Sequence, residues 1–208
     1  MKLRGLYAVT PDLADTAELL RRARPVLQGG ARLLQYRNKT AEALLRRAQA
    51  AALLGLCREH GARLIVNDDL ALALESGADG AHLGREDGDP AAARAALGPG
   101  KILGVSCYNE MERAREAQRI GADYVAFGSF FASATKPGAV RAPLGLLAQA
   151  KRELGLPVAA IGGITLENAP QLLAAGADLL AVISDIFEAP DIRARASAYA
   201  RLFAETPP

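Results

Sequence analysis

The 208-residue sequence predicts an α/β fold, a (βα)8 TIM barrel with eight parallel strands, built by residues 1–208 as one domain. Three observations carry that expectation. Short β-type runs alternate with longer Ala-, Leu- and Arg-rich runs along the whole chain. The alternation can be counted eight times, the number that closes a barrel. One corner also recurs between a helical run and the next strand: Gly30-Ala31, Gly61-Ala62, Gly77-Ala78-Asp79, Gly121-Ala122-Asp123 and Gly176-Ala177-Asp178. Glycine there accepts the left-handed conformation that stops a helix. An open doubly wound sheet satisfies the same alternation, so closure is left for the structure to decide.

In order, the expected strands are Gly5–Val9, Leu33–Tyr36, Leu64–Asn67, Gly80–Leu83, Ile102–Ser106, Tyr124–Phe127, Val158–Ile161 and Leu179–Ile183. Helical runs between them include Ala41–Glu59, Glu110–Ile120 and Pro143–Leu154. In the second of these, Met111, Ala114, Ala117 and Ile120 recur at three-residue spacing and define one apolar face. No Pro/Gly/Ser-rich linker divides the chain.

Composition removes several function classes. The 25 basic and 23 acidic residues are interspersed and leave a net charge of +2, unlike the clustered basic face of a nucleic-acid binder. No apolar stretch reaches the roughly 18 residues that span a bilayer. The start lacks the pattern of a signal peptide. Cys57 and Cys107 have neither metal-ligand spacing nor a partner motif. The expectation is a reduced, cytoplasmic protein with no nucleic-acid or membrane partner; nothing in the sequence bears on a homo-oligomer.

Polar residues gather where strands end. Gln35, Tyr36, Arg37, Asn38 and Lys39 follow or close the second run, and Asn67, Asp68 and Asp69 the third. Arg85, Glu86 and Asp87 follow the fourth, and Ser106 ends the fifth. A loop from Gly128 to Gly138 with Thr135 and Lys136 follows the sixth, Gly162-Gly163 the seventh and Ser184 the eighth. In a barrel these meet at the rim that carries active sites. Asp68 and Asp87 offer hard oxygens for Mg²⁺ held together with substrate phosphates. Arg37, Lys39 and Lys136 match a diphosphate. Gly162-Gly163 lets backbone N–H groups approach an anion, and Ser184 opens a short helix, Ser184–Phe187, whose N-terminus favours phosphate. The inventory points to phosphorylated small molecules and two anion sites, one assisted by metal. The two histidines, His60 and His82, have no neighbouring Ser or Cys in sequence with which to form a nucleophile pair.

The segments Gln35-Tyr36-Arg37-Asn38-Lys39, Val66-Asn67-Asp68-Asp69, Gly80 to Asp87, Gly104-Val105-Ser106, Thr135-Lys136, Gly162-Gly163-Ile164 and Val182-Ile183-Ser184 together resemble the thiamine-phosphate synthases. The likeness runs from Leu6 to about Asp185. It implies a (βα)8 barrel that joins 4-amino-5-hydroxymethyl-2-methylpyrimidine diphosphate to a thiazole phosphate, with Mg²⁺ and loss of diphosphate. By resemblance, Gln35, Tyr36, Arg37, Asn38, Lys39, Asn67, Ser106 and Lys136 contact the pyrimidine diphosphate, with Ser106 and Lys136 as catalytic candidates. Asp68 and Asp87 hold the metal, and Ser133, Ala134, Thr135, Gly163, Ile183 and Ser184 receive the thiazole phosphate. Two segments depart from the family pattern. The strand-six loop begins Gly128-Ser129 instead of Gly-Pro, with Ser133 in place of a threonine. Cys107-Tyr108-Asn109 stands where the family often has Ala-His-Thr.

Plainer readings compete at single positions. Asp69 is expected to cap the following helix while Asp68 binds metal; Asp87 reads equally as a turn residue. A related isomerase barrel uses a histidine in the strand-six region, absent from Gly128-Ser129-Phe130. A silent phosphate binder has no need of both aspartates, and a phosphosugar isomerase or epimerase needs an acid–base pair that the rim lacks.

Overall fold

Strands of four to seven residues that are apolar on both sides cannot lie on a surface; they need cover on each face, as parallel sheets do. The computed structural model describes residues 3–133 and 138–205, and in it the eight strands meet this need by closing on themselves. The elements run β1 (Gly5–Val9), α1 (Thr16–Gln28), β2 (Leu33–Tyr36), α2 (Ala43–Glu59), β3 (Arg63–Asn67), α3 (Leu70–Ser76), β4 (Gly80–Leu83) and α4 (Pro90–Leu97). They continue β5 (Ile102–Tyr108), α5 (Met111–Arg119), β6 (Tyr124–Phe127), α6 (Gly145–Glu153), β7 (Val158–Ile161), α7 (Ala169–Ala174), β8 (Leu179–Val182), α8 (Ser184–Phe187) and α9 (Ile192–Glu205). Each strand pairs in parallel with the next, and β8 returns to β1 through Gly5↔Leu179 and Tyr7↔Ala181. Closure therefore excludes the open sheet. The expected strand bounds agree to within two residues, the largest difference being β5, which runs on to Tyr108.

Side-chain alternation divides the core in two. Tyr7, Val9, Leu33, Ile65, Tyr124, Ala126, Ala159, Leu179 and Ala181 fill the barrel. The opposite parity, including Leu34, Tyr36, Leu64, Val66 and Phe127, packs against the helices. Helix α1 presents Leu19, Ala23 and Val26 to that outer layer, at four- and three-residue spacing.

The rim at the strands' N-terminal ends is made of the repeated corners. Gly30, Gly61, Gly77, Gly121 and Gly176 all have positive φ, between 63° and 108°, as helix stops of this type require. Each aspartate of a Gly-Ala-Asp corner then reaches back to an earlier strand. The carboxylates of Asp79, Asp123 and Asp178 accept from the N–H groups of Leu64, Leu103 and Val158 at 2.8–2.9 Å. Arg63, Arg94 and Lys151 balance their charge. These are structural joints.

Candidate active site

At the other rim β2 delivers two neighbours in opposite directions. Gln35 points into the barrel, where its Nε2 donates to Tyr7 Oη at 2.7 Å. Tyr36 packs in the outer layer and donates to Gln49 Oε1 at 2.8 Å; burial pushes its phenol up to about 12. The strand ends in a clasp with the β1 loop. Thr10 Oγ1 accepts from Arg37 N–H and donates to Arg37 O, and Asp12 receives Arg37 Nη1 on both oxygens at 2.9 Å. Asp12 also takes the Lys39 N–H. Asn38 is buried, donating to Leu13 O and Gln49 Oε1 and accepting from Thr40 and Ala41 N–H. Its side chain thus holds the loop.

Lys39, Asn67, Asp68 and Asp69 line one cleft of about 360 Å³, with Asn38 and Arg46. Asp69 caps α3 as expected, accepting the Leu72 N–H at 2.9 Å. Asp68 adopts φ 62°, a left-handed conformation uncommon for a residue with a side chain and frequent where function stores strain. Its carboxylate pairs with Lys39 Nζ and shares a hydrogen bond with Asp87. Burial works to raise Asp68, yet the hydrogen bonds from Lys39 and Asp87 hold it below the ordinary carboxylate range. Asp87 moves the other way: burial, then its bond to Asp68, raise it, against the Gly84 N–H that it accepts at 2.7 Å. Asp87 is therefore both a turn residue and half of a carboxylate pair. Two acids in contact disfavour ionising together, and a cation between them relieves that repulsion. Among the described residues no three His, Cys, Asp or Glu side chains cluster. A carboxylate pair nevertheless suits a hard ion that completes its shell with water and substrate phosphate.

The barrel interior corrects one expectation. His82 does have a serine partner: Nε2 lies 2.8 Å from Ser106 Oγ across β4 and β5. The pairing escaped the sequence because 24 residues separate the two and only the strand register unites them. Nδ1 of His82 lies 2.9 Å from Tyr124 Oη, whose other neighbour is Tyr7 Oη at 2.6 Å. Burial holds the His82 imidazole down at about 4, against the pull of the Asp68 charge. The Tyr124 ring occupies the space that a side chain on Gly104 would need. Burial raises the Cys107 thiol to about 12, and its Sγ faces Val105 O, away from chemistry.

The strand-six loop lies on the end of β7. Phe130 and Phe131 N–H groups donate to Ile161 O and Gly162 O, across a cis Gly128–Ser129 peptide. Gly162 and Gly163 have φ of 101° and 61°, and a Cβ on either would overlap Ser129 or Ala132. The first reason for this glycine pair is accordingly the close approach of the loop. Ser133 is half-exposed. Ala134, Thr135 and Lys136 lie outside the described residues. At β8, Ile183 and Ser184 are half-buried, and Ser184 begins the expected four-residue helix.

With this geometry in place, comparison with known proteins gives a consistent result. The family model described as thiamine monophosphate synthase matches residues 6–186. The chain belongs to this family. Thiamine-phosphate synthase of Aromatoleum aromaticum is 61% identical over 202 residues, covering 97% of each chain. That of an Azoarcus species is 60% identical over 98% of each. The solved thiamine phosphate pyrophosphorylase from Pyrococcus furiosus superposes with a TM-score of 0.86 at 33% identity, over 99% of this chain and 98% of that one.

For a thiamine monophosphate synthase, whose reaction needs a metal, the structure adds residues that no sequence motif marks. Thr10 and Asp12 set Arg37 and Lys39. Arg113 ties Ser106 O to Gly84 O at 2.7 and 3.0 Å. Tyr7 and Tyr124 connect Gln35 to His82. Their inward parity on β1 and β6 was the only available signal, and an inward tyrosine in an apolar strand reads first as core.

Proposed function

We propose that the protein makes thiamine phosphate by substitution at the methylene carbon of 4-amino-5-hydroxymethyl-2-methylpyrimidine diphosphate, with a thiazole phosphate as nucleophile. The observation that carries this reading is the Asp68–Asp87 pair beside Lys39, at the mouth of a barrel whose lining leads to Ser106. Asp68 and Asp87 would hold Mg²⁺, which when bound supplies positive charge to the diphosphate. Lys39, Arg37 and Lys136 add charge to the same group, and Gln35, Asn67 and Ser106 orient the pyrimidine. Tyr36 and Asn38 contribute from behind, by shaping the loop that presents Arg37 and Lys39. The C–O bond breaks with its electron pair leaving on diphosphate, and the aminopyrimidine delocalises the resulting cation. The thiazole nitrogen lone pair then forms the C–N bond. Stabilising the leaving group and excluding water are the protein's main tasks. The strand-six loop with Ser133, Ala134 and Thr135, together with Gly163, Ile183 and Ser184, receives the thiazole phosphate. Residues 1–208 act as one domain in the cytoplasm; among the described residues no helix is long and apolar enough to cross a membrane.

The test is diphosphate release by purified protein given both substrates and Mg²⁺, with thiamine phosphate followed by mass spectrometry. Product that requires all three components is expected. Release of diphosphate without coupled product would discard the reading.

A further inference from the structure

Five polar side chains run through the otherwise apolar barrel in one hydrogen-bonded row: Gln35, Tyr7, Tyr124, His82 and Ser106. The distances are 2.7, 2.6, 2.9 and 2.8 Å in that order. Gln35, Tyr7, Tyr124 and His82 are buried, and Ser106 stands half-exposed at the mouth.

We infer that this row has one direction, from Gln35 to Ser106, so that the Ser106 hydroxyl proton is kept free for donation to substrate; Tyr7, Tyr124 and His82 are its positioning residues. The argument is a count of protons. Gln35 presents its amide nitrogen to Tyr7, and that group can only donate. Tyr7 Oη therefore accepts there, and because Tyr124 Oη is the one acceptor among the described residues in reach of its proton, and a buried proton left unpaired is costly, it donates to Tyr124. Tyr124 Oη, already accepting, gives its own proton to His82 Nδ1. His82 then carries hydrogen on Nε2, which donates to Ser106 Oγ. The Ser106 hydroxyl has no further hydrogen bond to the described residues, so its proton is available to an acceptor on the bound pyrimidine diphosphate.

A doubly protonated imidazole would break the row. Tyr124 would then accept from both sides and keep its proton unpaired in the buried interior, a costly arrangement. The opposite direction would leave a lone pair on Nε2 facing Ser106, the arrangement of a base that activates a nucleophile. The row directs the bond away from that outcome. This also explains how a buried Ser–His contact fits a reaction in which serine forms no covalent bond. The inference rests on the proposed reaction only for the identity of the acceptor.

The test is the tautomer of His82 in ligand-free protein, read from two-bond ¹H–¹⁵N correlations with ¹⁵N-labelled histidine; His60→Gln leaves one imidazole to assign. Hydrogen on Nε2 with an unprotonated Nδ1 is expected. Hydrogen on Nδ1 overturns the inference. Gln35→Glu, measured at about pH 9, replaces the donor by an accepting carboxylate and should reverse every bond, moving the His82 proton to Nδ1. A folded Gln35→Glu protein that keeps the wild-type tautomer also overturns it, and if that variant does not fold, the wild-type tautomer decides. No substrate is present in these measurements. A failure to make thiamine phosphate therefore refutes the reaction without touching this result, and the reverse holds equally.

Discussion

The aspartates at the two ends of the barrel have the same side chain and opposite circumstances. At the N-terminal rim Asp79, Asp123 and Asp178 each accept a backbone N–H from an earlier strand and face one cation. Their charge is compensated within the fold. At the C-terminal rim Asp68 and Asp87 lie against each other, one held low and the other raised, with Lys39 beside them. The fold thus completes the charge of one set of carboxylates and leaves the other as an adjacent pair with a single lysine.

Substitution at each rim can break that contrast. Asp87→Ala should lower metal-dependent turnover by about 10²- to 10³-fold, the scale of losing a group that stabilises developing charge, while circular dichroism reports an intact fold. Turnover near wild type would remove Asp87 from the metal site. Asp178→Ala should do the reverse. It leaves Lys151 and the Val158 N–H without their partner and should cost about 3 kcal/mol in denaturant unfolding, with activity per folded molecule unchanged.

The smallest effect sharpens the comparison most. Asp87 has a folded value above its unfolded one, so its contribution to stability is fully present below the ordinary carboxylate range and is lost as pH rises through the raised value. Asp68, held low, contributes above the ordinary range and loses that contribution as pH falls through its lowered value. Asp87→Asn keeps an acceptor for Gly84 and removes the second acid. Metal-free protein should then gain up to about 1 kcal/mol at pH 7–8, and added Mg²⁺ should stabilise wild type but not the variant. Thermal melts with and without Mg²⁺ check both. A destabilised metal-free Asp87→Asn protein would place Asp87 with the structural aspartates.

How far the sequence could be read follows from which forces are local. Helix stops at Gly77 or Gly121 depend on a φ that few other residues adopt, so the barrel's rhythm was visible without a structure. Asp69 as a cap was legible for the same reason, since its partner lies three residues away. The His82–Ser106 contact and the two-tyrosine link were hidden, because they depend on register between separate strands and on which face each strand turns inward. In sequence Gly162-Gly163 reads as room for an anion. The packing reason was missed because the partner, the strand-six loop, arrives from more than thirty residues earlier.

Gly104 gives the barrel a history as well as a shape. Any side chain there meets the buried Tyr124 ring, so a change at position 104 requires that ring to move or to become smaller. Losing the Tyr124 hydroxyl first would uncouple His82 from Tyr7. The two positions are thus coupled, and a change at either one alone carries a penalty. A lineage drifting through neutral substitutions would find this pair closed to it, however freely the surrounding apolar residues exchange.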